Sequence, residues 1–558
     1  ENNIFGVDIN EESVEITKLS MFLKMARSNK KLINLSNNIK CGDSLIDDPK
    51  FAGEKAFNWG CEFSEVLNNG GFDVVIGNPP YVRQERFTGI KKYLNKNYEA
   101  YNSLADLYVY FIEKGIKLNR ANGLFSFILP NKFLRATYGK NIRGFIKSNV
   151  SIKKLYNFND YPVFSEATTY PLVFVFSKKE KTKKSFTYSE ISRGIEKEPI
   201  YQLNKNKYEV AYSSLTPKQW NFLNKDVNKI VNTIKAKSIS LKDICDDKIF
   251  RGVSTGKNDV FIINKKLKDV LSEAANKSYI RKIVTGKEVK RYSLTFEDNY
   301  LLFIPWEYNL NTSKKVSSYL RQHKADLEKR PEVKQGRFNW WCLSRYGSKN
   351  AEYLFKPKII YPRINKQCNF YLDETGEMSL SDNNFFISSD SLDLLAVLNS
   401  KLIFFYLKQI CSTLQGGYLD FRRPYIETIP INKNYKKANL SSKAHKLLKL
   451  NESFSSKQSK FFNRIKKSFE LVKINKKSNE FYNLDFNEFI GEIEKQNKTK
   501  LALKEQDEWE DYFDDYKQDL QKISHEINAV DSEINQMVYK LYGLNKSEIE
   551  LIEKNVKS

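Results

Sequence analysis

The run Phe72-Asp-Val-Val-Ile-Gly-Asn-Pro-Pro-Tyr81 constrains this chain more than any other stretch. Phe72 to Ile76 is a short, largely apolar and β-branched segment, the pattern of a buried strand. Gly77 lets the backbone turn where that strand ends. Pro79 and Pro80 then fix φ and remove two backbone donors, leaving carbonyls that can only accept. The Asn78 side-chain oxygen beside the Pro79 carbonyl gives two acceptors converging on one amino group. Tyr81 adds a flat face on which a base can stack. Asn-Pro alone is a common turn dipeptide. With this strand before it and an aromatic after it, the tetrapeptide reads as a holder for an exocyclic amine.

On these residues the chain resembles the amino-methyltransferases that use S-adenosylmethionine. More narrowly, it resembles the gamma-type N6-adenine DNA methyltransferases of the TaqI-like and type IIG restriction-modification family. The resemblance runs over most of the 558 residues. It implies an α/β, Rossmann-like methyltransferase domain over 1–180, incomplete at its N-terminus, and a connecting segment over 181–238. An α+β target-recognition domain follows over 239–435, and a helical hairpin or coiled-coil-like region over 436–558.

Alternating strand-like and helix-like segments support the α/β reading of the first part. Strands are expected at Ile4–Ile9, Ile39–Asp43, Phe72–Ile76, Leu124–Leu129, Ile152–Phe158 and Pro171–Phe176. Helices are expected over about 11–26 and 104–118. Ligands of open α/β sheets bind at the carboxyl ends of strands, and Asp8, Asp43 and Asn78 each occupy such an end. The resemblance assigns Asp8 to the cofactor ribose and Ile9 to its adenine ring. It assigns Asp43, with Ser44 beside it, to the adenine amine, and Asp106 in Ser103-Leu-Ala-Asp-Leu-Tyr108 to the cofactor pocket. A strand-end Asp is also a common helix cap. Phe164, in the segment Tyr161–Pro171, is the expected second stacking face opposite Tyr81. Asn78 and Pro79 would localise the adenine N6 lone pair toward the sulfonium methyl, on a base flipped out of the duplex.

The family also has a glycine-rich loop after a central strand lying between the Ile4 and Phe72 strands. No suitable Gly-x-Gly occurs here in that context, and the chain opens at Glu1 within a motif. The expectation is a fragment of a longer protein, binding cofactor poorly, with a nuclease domain possible upstream.

A formal net charge of +25, with 92 Lys+Arg against 67 Asp+Glu, favours a polyanionic partner. The 14% aromatic content favours nucleic acid over membrane, and no run approaches a transmembrane length. Six cysteines without CxxC spacing read as reduced thiols of a cytoplasmic protein, and three histidines argue against a metal centre.

In the second half, Phe250–Phe261, Val284–Tyr292, Lys356–Arg363 and Leu395–Lys401 occur in the order of a TaqI-like recognition domain. Arg251, Lys257, Lys287, Lys290 and Arg291 are the cations expected on phosphates of double-stranded DNA, with Tyr418 of Gln415-Gly-Gly-Tyr418 a further contact. Adjacent Trp340 and Trp341 read first as core. The stripe Trp509, Phe513, Tyr516, Leu520, Ile523, Ile527, Val530, Ile534, Val538, Leu541 has heptad-like spacing. An antiparallel hairpin with the stretch Leu447–Phe469 accounts for it, with a monomer favoured; a dimerising coil is the rival. The functional expectation is a site-specific adenine methyltransferase. The alternative is the recognition and modification fragment of a type IIG restriction endonuclease, catalytically incompetent by itself.

Overall fold

The computed structural model describes residues 3–25, 35–159, 161–164, 170–178, 184–191, 199–217, 219–273, 278–347, 350–471, 473–475, 477–497 and 503–557. The chain divides into two compact units, one of residues 1–225 with 414–417, the other of residues 226–413 with 418–558.

The first unit contains β1 (Gly6–Asp8), β2 (Ile39–Cys41), β3 (Phe72–Gly77), β4 (Asn119–Pro130), β5 (Val150–Asn157), β6 (Pro171–Lys178), β7 (Ser185–Glu190) and β8 (Lys207–Ala211). Six of them form one mixed sheet in the order β3-β4-β6-β5-β7-β8, with β3 parallel to β4 and β6 antiparallel to both its neighbours. Apolar alternation along β4 and β6 buries Phe125, Phe174 and Phe176, and the Phe125 and Phe176 rings stack at 4.3 Å. The helix Tyr108–Leu118 lies against this layer at Gly115, where an added Cβ would meet the Phe125 ring at 2.2 Å. Only glycine permits that approach.

β1 and β2 form a separate parallel pair, with Gly6 opposite Ile39 and Asp8 opposite Cys41. The sheet is therefore interrupted between β1 and β3, where the family resemblance places another strand. Parallel strands are usually covered on both faces; here Val74 and Ile76 of β3 are 56% and 79% exposed. Phe5, just before β1, joins the two sheets by edge contacts with Phe63 and Phe72 at 5.3 and 5.7 Å.

β7 and β8 lie inside the stretch read as a connecting segment. Their alternation, Phe186 and Tyr188 on one strand and Tyr208 and Val210 on the other, packs onto the same core. Trp220 and Phe222 are buried there too. Part of the basic run, residues 179–183, lies outside the described residues.

In the second unit, one sheet orders the strands Ile249–Arg251, Asn384–Ile387, Lys358–Pro362 and Tyr371–Asp373; a second orders Ile262–Asn264, Asn299–Leu302, Ile280–Val284 and Ser379–Leu380. Ile283, Leu301, Leu302 and Phe386 fill the core they share. Trp340 and Trp341 pack at its margin, the latter donating to the Tyr308 carbonyl at 3.1 Å. The helices Ser441–Ser468 and Leu503–Tyr542 run antiparallel: Lys443 pairs with Glu533, Lys457 with Asp519, and Phe469 meets Trp509 at 5.3 Å. Phe513, Leu520, Ile534 and Val538 are thereby buried within the chain. Gly543, at φ 66°, ends the long helix. No described helix is long and apolar enough to cross a membrane.

Candidate active site and nucleic-acid interface

Asn78 sits where β3 ends, exposed, and its side chain makes no hydrogen bond among the described residues. Pro79 is buried and Pro80 exposed, so the rigid dipeptide anchors the loop while leaving the amide free. The Tyr81 hydroxyl donates to the Ile128 carbonyl at 3.2 Å, fixing the ring against β4. Burial pushes its phenol up to about 12, so it stays neutral. Leu107 N–H donates to the Val82 carbonyl at 3.0 Å, which ties this loop to the segment carrying Asp106.

Phe164 is brought to Tyr81, with ring centroids 6.4 Å apart, but the planes cross at 76°. The rings meet edge to face. Residues 165–169 of its segment lie outside the described residues.

Asp8 is exposed and accepts from Asn10 N–H at 2.8 Å, a local cap before the helix Glu11–Met25. Ile9 beside it is 58% exposed. Asp43 is half-buried and accepts from Leu45 N–H at 2.9 Å. Burial raises its carboxyl above the ordinary aspartate range, against the lowering pull of the Leu45 and Ile46 N–H groups and the Lys114 charge. The Ser44 carbonyl beside it accepts from Trp59 Nε1 at 3.0 Å. Burial likewise raises Asp106, opposed by Lys132 at 3.8 Å. An exposed carboxylate with a neighbouring exposed isoleucine, next to a second, half-buried carboxylate, is a donor set that fits a nucleoside with hydroxyls and an amine.

These shifts carry a sign. A carboxyl raised by folding contributes stability that is present below the ordinary aspartate pKa and is lost as pH rises through the raised value. Asp43→Asn and Asp106→Asn are expected to raise the melting temperature at neutral pH while weakening nucleoside binding. A calorimetric scan checks the first and a titration with S-adenosylmethionine the second. Unchanged affinity would remove the residue from the site.

In the second unit the turn Ser381–Asn384 gathers three of the segments singled out by sequence. Arg251 donates through Nε to the Asp382 carbonyl at 2.7 Å and lies 3.2 Å from its carboxylate. Gly286 lies against Pro362 and Asn383, so the Lys287 loop borders the same turn. Arg363 N–H donates to the Asn383 carbonyl at 2.8 Å. Lys287 and Lys290 are exposed. Lys257 is half-buried beside Gly256, whose φ of 75° makes the turn. Arg330, which the sequence did not single out, holds that turn: it donates to the carbonyls of Thr255, Cys342 and Leu327 at 2.9–3.1 Å, and to that of Trp340. No pattern in the sequence marks it.

Arg291 is a correction. Its guanidinium is not offered to phosphate; it pairs with Asp531 of the long helix through both terminal nitrogens and donates to the Asn399 carbonyl at 2.7 Å. Lys358 of the Lys356–Arg363 segment is also buried, 2.6 Å from Asp373.

With this geometry in hand, comparison with known families is decisive. Residues 2–164 match the Eco57I restriction-modification methylase, and residues 281–431 match the TaqI-like C-terminal specificity domain. Regions similar to a restriction-modification methylase and to a TaqI-like specificity domain thus follow one another along the chain. Residues 433–538, most of the helical hairpin, match a domain of unknown function. Among relatives, the type II methyltransferase M.BstVI of Geobacillus stearothermophilus is 24% identical over 385 residues, 64% of this chain and 67% of that protein. The type II restriction enzyme and methyltransferase RM.Eco57I of Escherichia coli is 29% identical over 282 residues, 48% of this chain but 27% of that protein. The solved type IIL restriction-modification enzyme MmeI in complex with DNA shares the fold, with a TM-score of 0.57 and 12% identity, covering all of this chain and 66% of that one. The chain's match thus spans about two thirds of the first relative's length and roughly a quarter of RM.Eco57I's.

Proposed function

We propose that this chain methylates the N6 atom of an adenine in double-stranded DNA, at a sequence chosen by its specificity domain, within a restriction-modification system. One observation carries the reading: an exposed Asn78 amide at a strand's carboxyl end, beside a buried proline and an anchored neutral tyrosine. Bound S-adenosylmethionine supplies a methyl group made electrophilic by positive sulfur. Asp8, Ile9, Asp43 and Asp106 would hold it. The Asn78 oxygen and the Pro79 carbonyl accept the two amine hydrogens and draw the nitrogen lone pair out of the ring. No general base is needed before transfer, because the amine keeps both protons until the N–C bond has formed at the expense of the methyl–sulfur bond, and one proton then passes to solvent. The remaining work is alignment and charge stabilisation.

Tyr81 supplies the stacking face for the extruded base. Tyr81→Phe keeps the ring and loses one hydrogen bond, so labelled-methyl transfer to unmodified genomic DNA should stay within about threefold of the parent. Tyr81→Ala removes the face, and base–aromatic stacking of about 1–3 kcal/mol corresponds to a loss of roughly 5- to 150-fold. Equal activity of all three proteins would contradict the reading.

The likeness to RM.Eco57I, a combined restriction enzyme and methyltransferase, favours a second reading: this chain is the modification part of such an enzyme. Sequence-specific cleavage by the natural full-length protein would test it.

A further inference from the structure

Asn157 ends β5 at 7% exposure, and every hydrogen-bonding valence of its amide is used. Nδ2 donates to the Tyr188 hydroxyl and to Asn159 Oδ1, each at 2.9 Å. Oδ1 accepts from Asn131 Nδ2 at 3.0 Å and from Asn159 N–H at 3.2 Å. One side chain thus ties three strands together near their carboxyl ends: Asn131 follows β4, Asn157 closes β5 and Tyr188 belongs to β7. These strands run in the same direction as β3, so their ends lie on the side of the sheet that carries Asn78.

The amide holds the start of the segment that carries Phe164. Asn159 adopts φ 49°, in the left-handed region. Its two bonds to Asn157, and its Nδ2 donating to the Ile191 carbonyl at 2.6 Å, keep it there. Beyond that turn, Tyr161 N–H donates to the Phe158 carbonyl at 3.0 Å and Val163 N–H to the Tyr161 carbonyl at 2.9 Å. Phe164 comes next. Asn131 N–H meanwhile donates to the Tyr170 carbonyl at 2.9 Å, on the far side of Phe164. Three residues before Asn131, the Ile128 carbonyl accepts from Tyr81. Both rings are therefore anchored on the end of β4.

We propose that Asn157 is a positioning residue for methyl transfer: through Asn131 and Asn159 it fixes Phe164 relative to Tyr81, and so shapes the slot that receives the extruded base. This role rests on the adenine-methylation reading above and adds the group that holds the second face. The residue type matters. Leucine would leave unmatched the four polar groups that meet the amide, and aspartate would set a carboxylate against Asn159 Oδ1. A buried polar network with every member satisfied rigidifies what it joins. In-line transfer to a held base depends on that rigidity, because a small misplacement of the reacting atoms is costly.

The experiment is a double-mutant cycle on the full chain, read as single-turnover transfer of labelled methyl at saturating unmodified genomic DNA. Phe164→Ala removes one base–aromatic face and should slow transfer by about 5- to 150-fold. Asn157→Ala should slow it by about fivefold or more, without exceeding the Phe164→Ala loss. The double variant should be no slower than Phe164→Ala alone, because two residues acting on one face do not add. Tyr188→Phe leaves the bonds to Asn131 and Asn159 in place, so it should lower the melting temperature but keep the rate within about threefold. Hydrogen exchange gives a readout independent of turnover: Asn157→Ala should quicken exchange of the Asn159, Tyr161 and Val163 amides while β5 and β6 stay as protected as in the parent. A parental rate for Asn157→Ala, losses that multiply in the double variant, or exchange quickened throughout the sheet would overturn the positioning role and leave the methylation reading standing. A parent that transfers no methyl, or a Phe164→Ala protein at the parental rate, would instead overturn the reading on which that role rests.

Discussion

Replacing Asn78 by alanine is expected to lower methyl transfer by about 10²–10³-fold or more, while duplex affinity stays within a fewfold of the parent. The size follows from what the residue does only as the reaction proceeds. The adenine amine is a poor nucleophile, and an acceptor on each hydrogen is worth most when the nitrogen begins to carry positive charge. Asn78 is exposed and makes no hydrogen bond among the described residues, so its removal should not disturb the fold. The loop is held instead by buried Pro79, by Tyr81 on the Ile128 carbonyl and by Val82 on Leu107. Single-turnover rates at saturating DNA separate the two quantities. A variant with parental rate and reduced affinity would make Asn78 a binding residue rather than a catalytic one.

Arg291→Ala is expected to cost about 3 kcal/mol of the second unit's stability, because it strands a carboxylate that is largely withdrawn from water. Asp531 has a side chain 15% exposed and Arg291 one 24% exposed. The loss reaches beyond one pair. Tyr292, next in the chain, adopts φ 54°, uncommon for a bulky residue, and its N–H donates to the Phe370 carbonyl at 3.1 Å. The ion pair holds that turn against the long helix. Denaturant titration should show the loss, while the salt slope of DNA binding stays that of the parent. Lys287→Ala should do the reverse, keeping stability and lowering the slope by about one. A stable Arg291→Ala protein with a reduced slope would return Arg291 to the phosphates.

The strand ends and their acids were legible because short apolar, β-branched runs stop at turn residues, and the Asn78–Tyr81 loop carries its prolines in sequence. The antiparallel hairpin was legible from two apolar stripes at helical spacing. Strands β7 and β8 were not singled out, although Phe186/Tyr188 and Tyr208/Val210 alternate, because a run of lysines precedes them and dominates the local composition. Arg291 was misread for a different reason. An arginine in a basic loop looks the same whether it meets phosphate or a carboxylate 240 residues away, and only packing decides. Arg330 escaped notice likewise: carbonyls from its own turn, from Thr255 and from the Trp340–Cys342 stretch converge on it. Phe164 lies beside Tyr81 but edge-on to it, an orientation that a run of aromatic residues in sequence does not specify.

The amine clamp is tested most directly by the product. Unmodified DNA incubated with the protein and methyl-labelled S-adenosylmethionine, then digested to nucleosides and separated, should carry its label on N6-methyladenine, with none from the Asn78→Ala protein. Label on N4-methylcytosine, or undiminished label after Asn78 is removed, would contradict it.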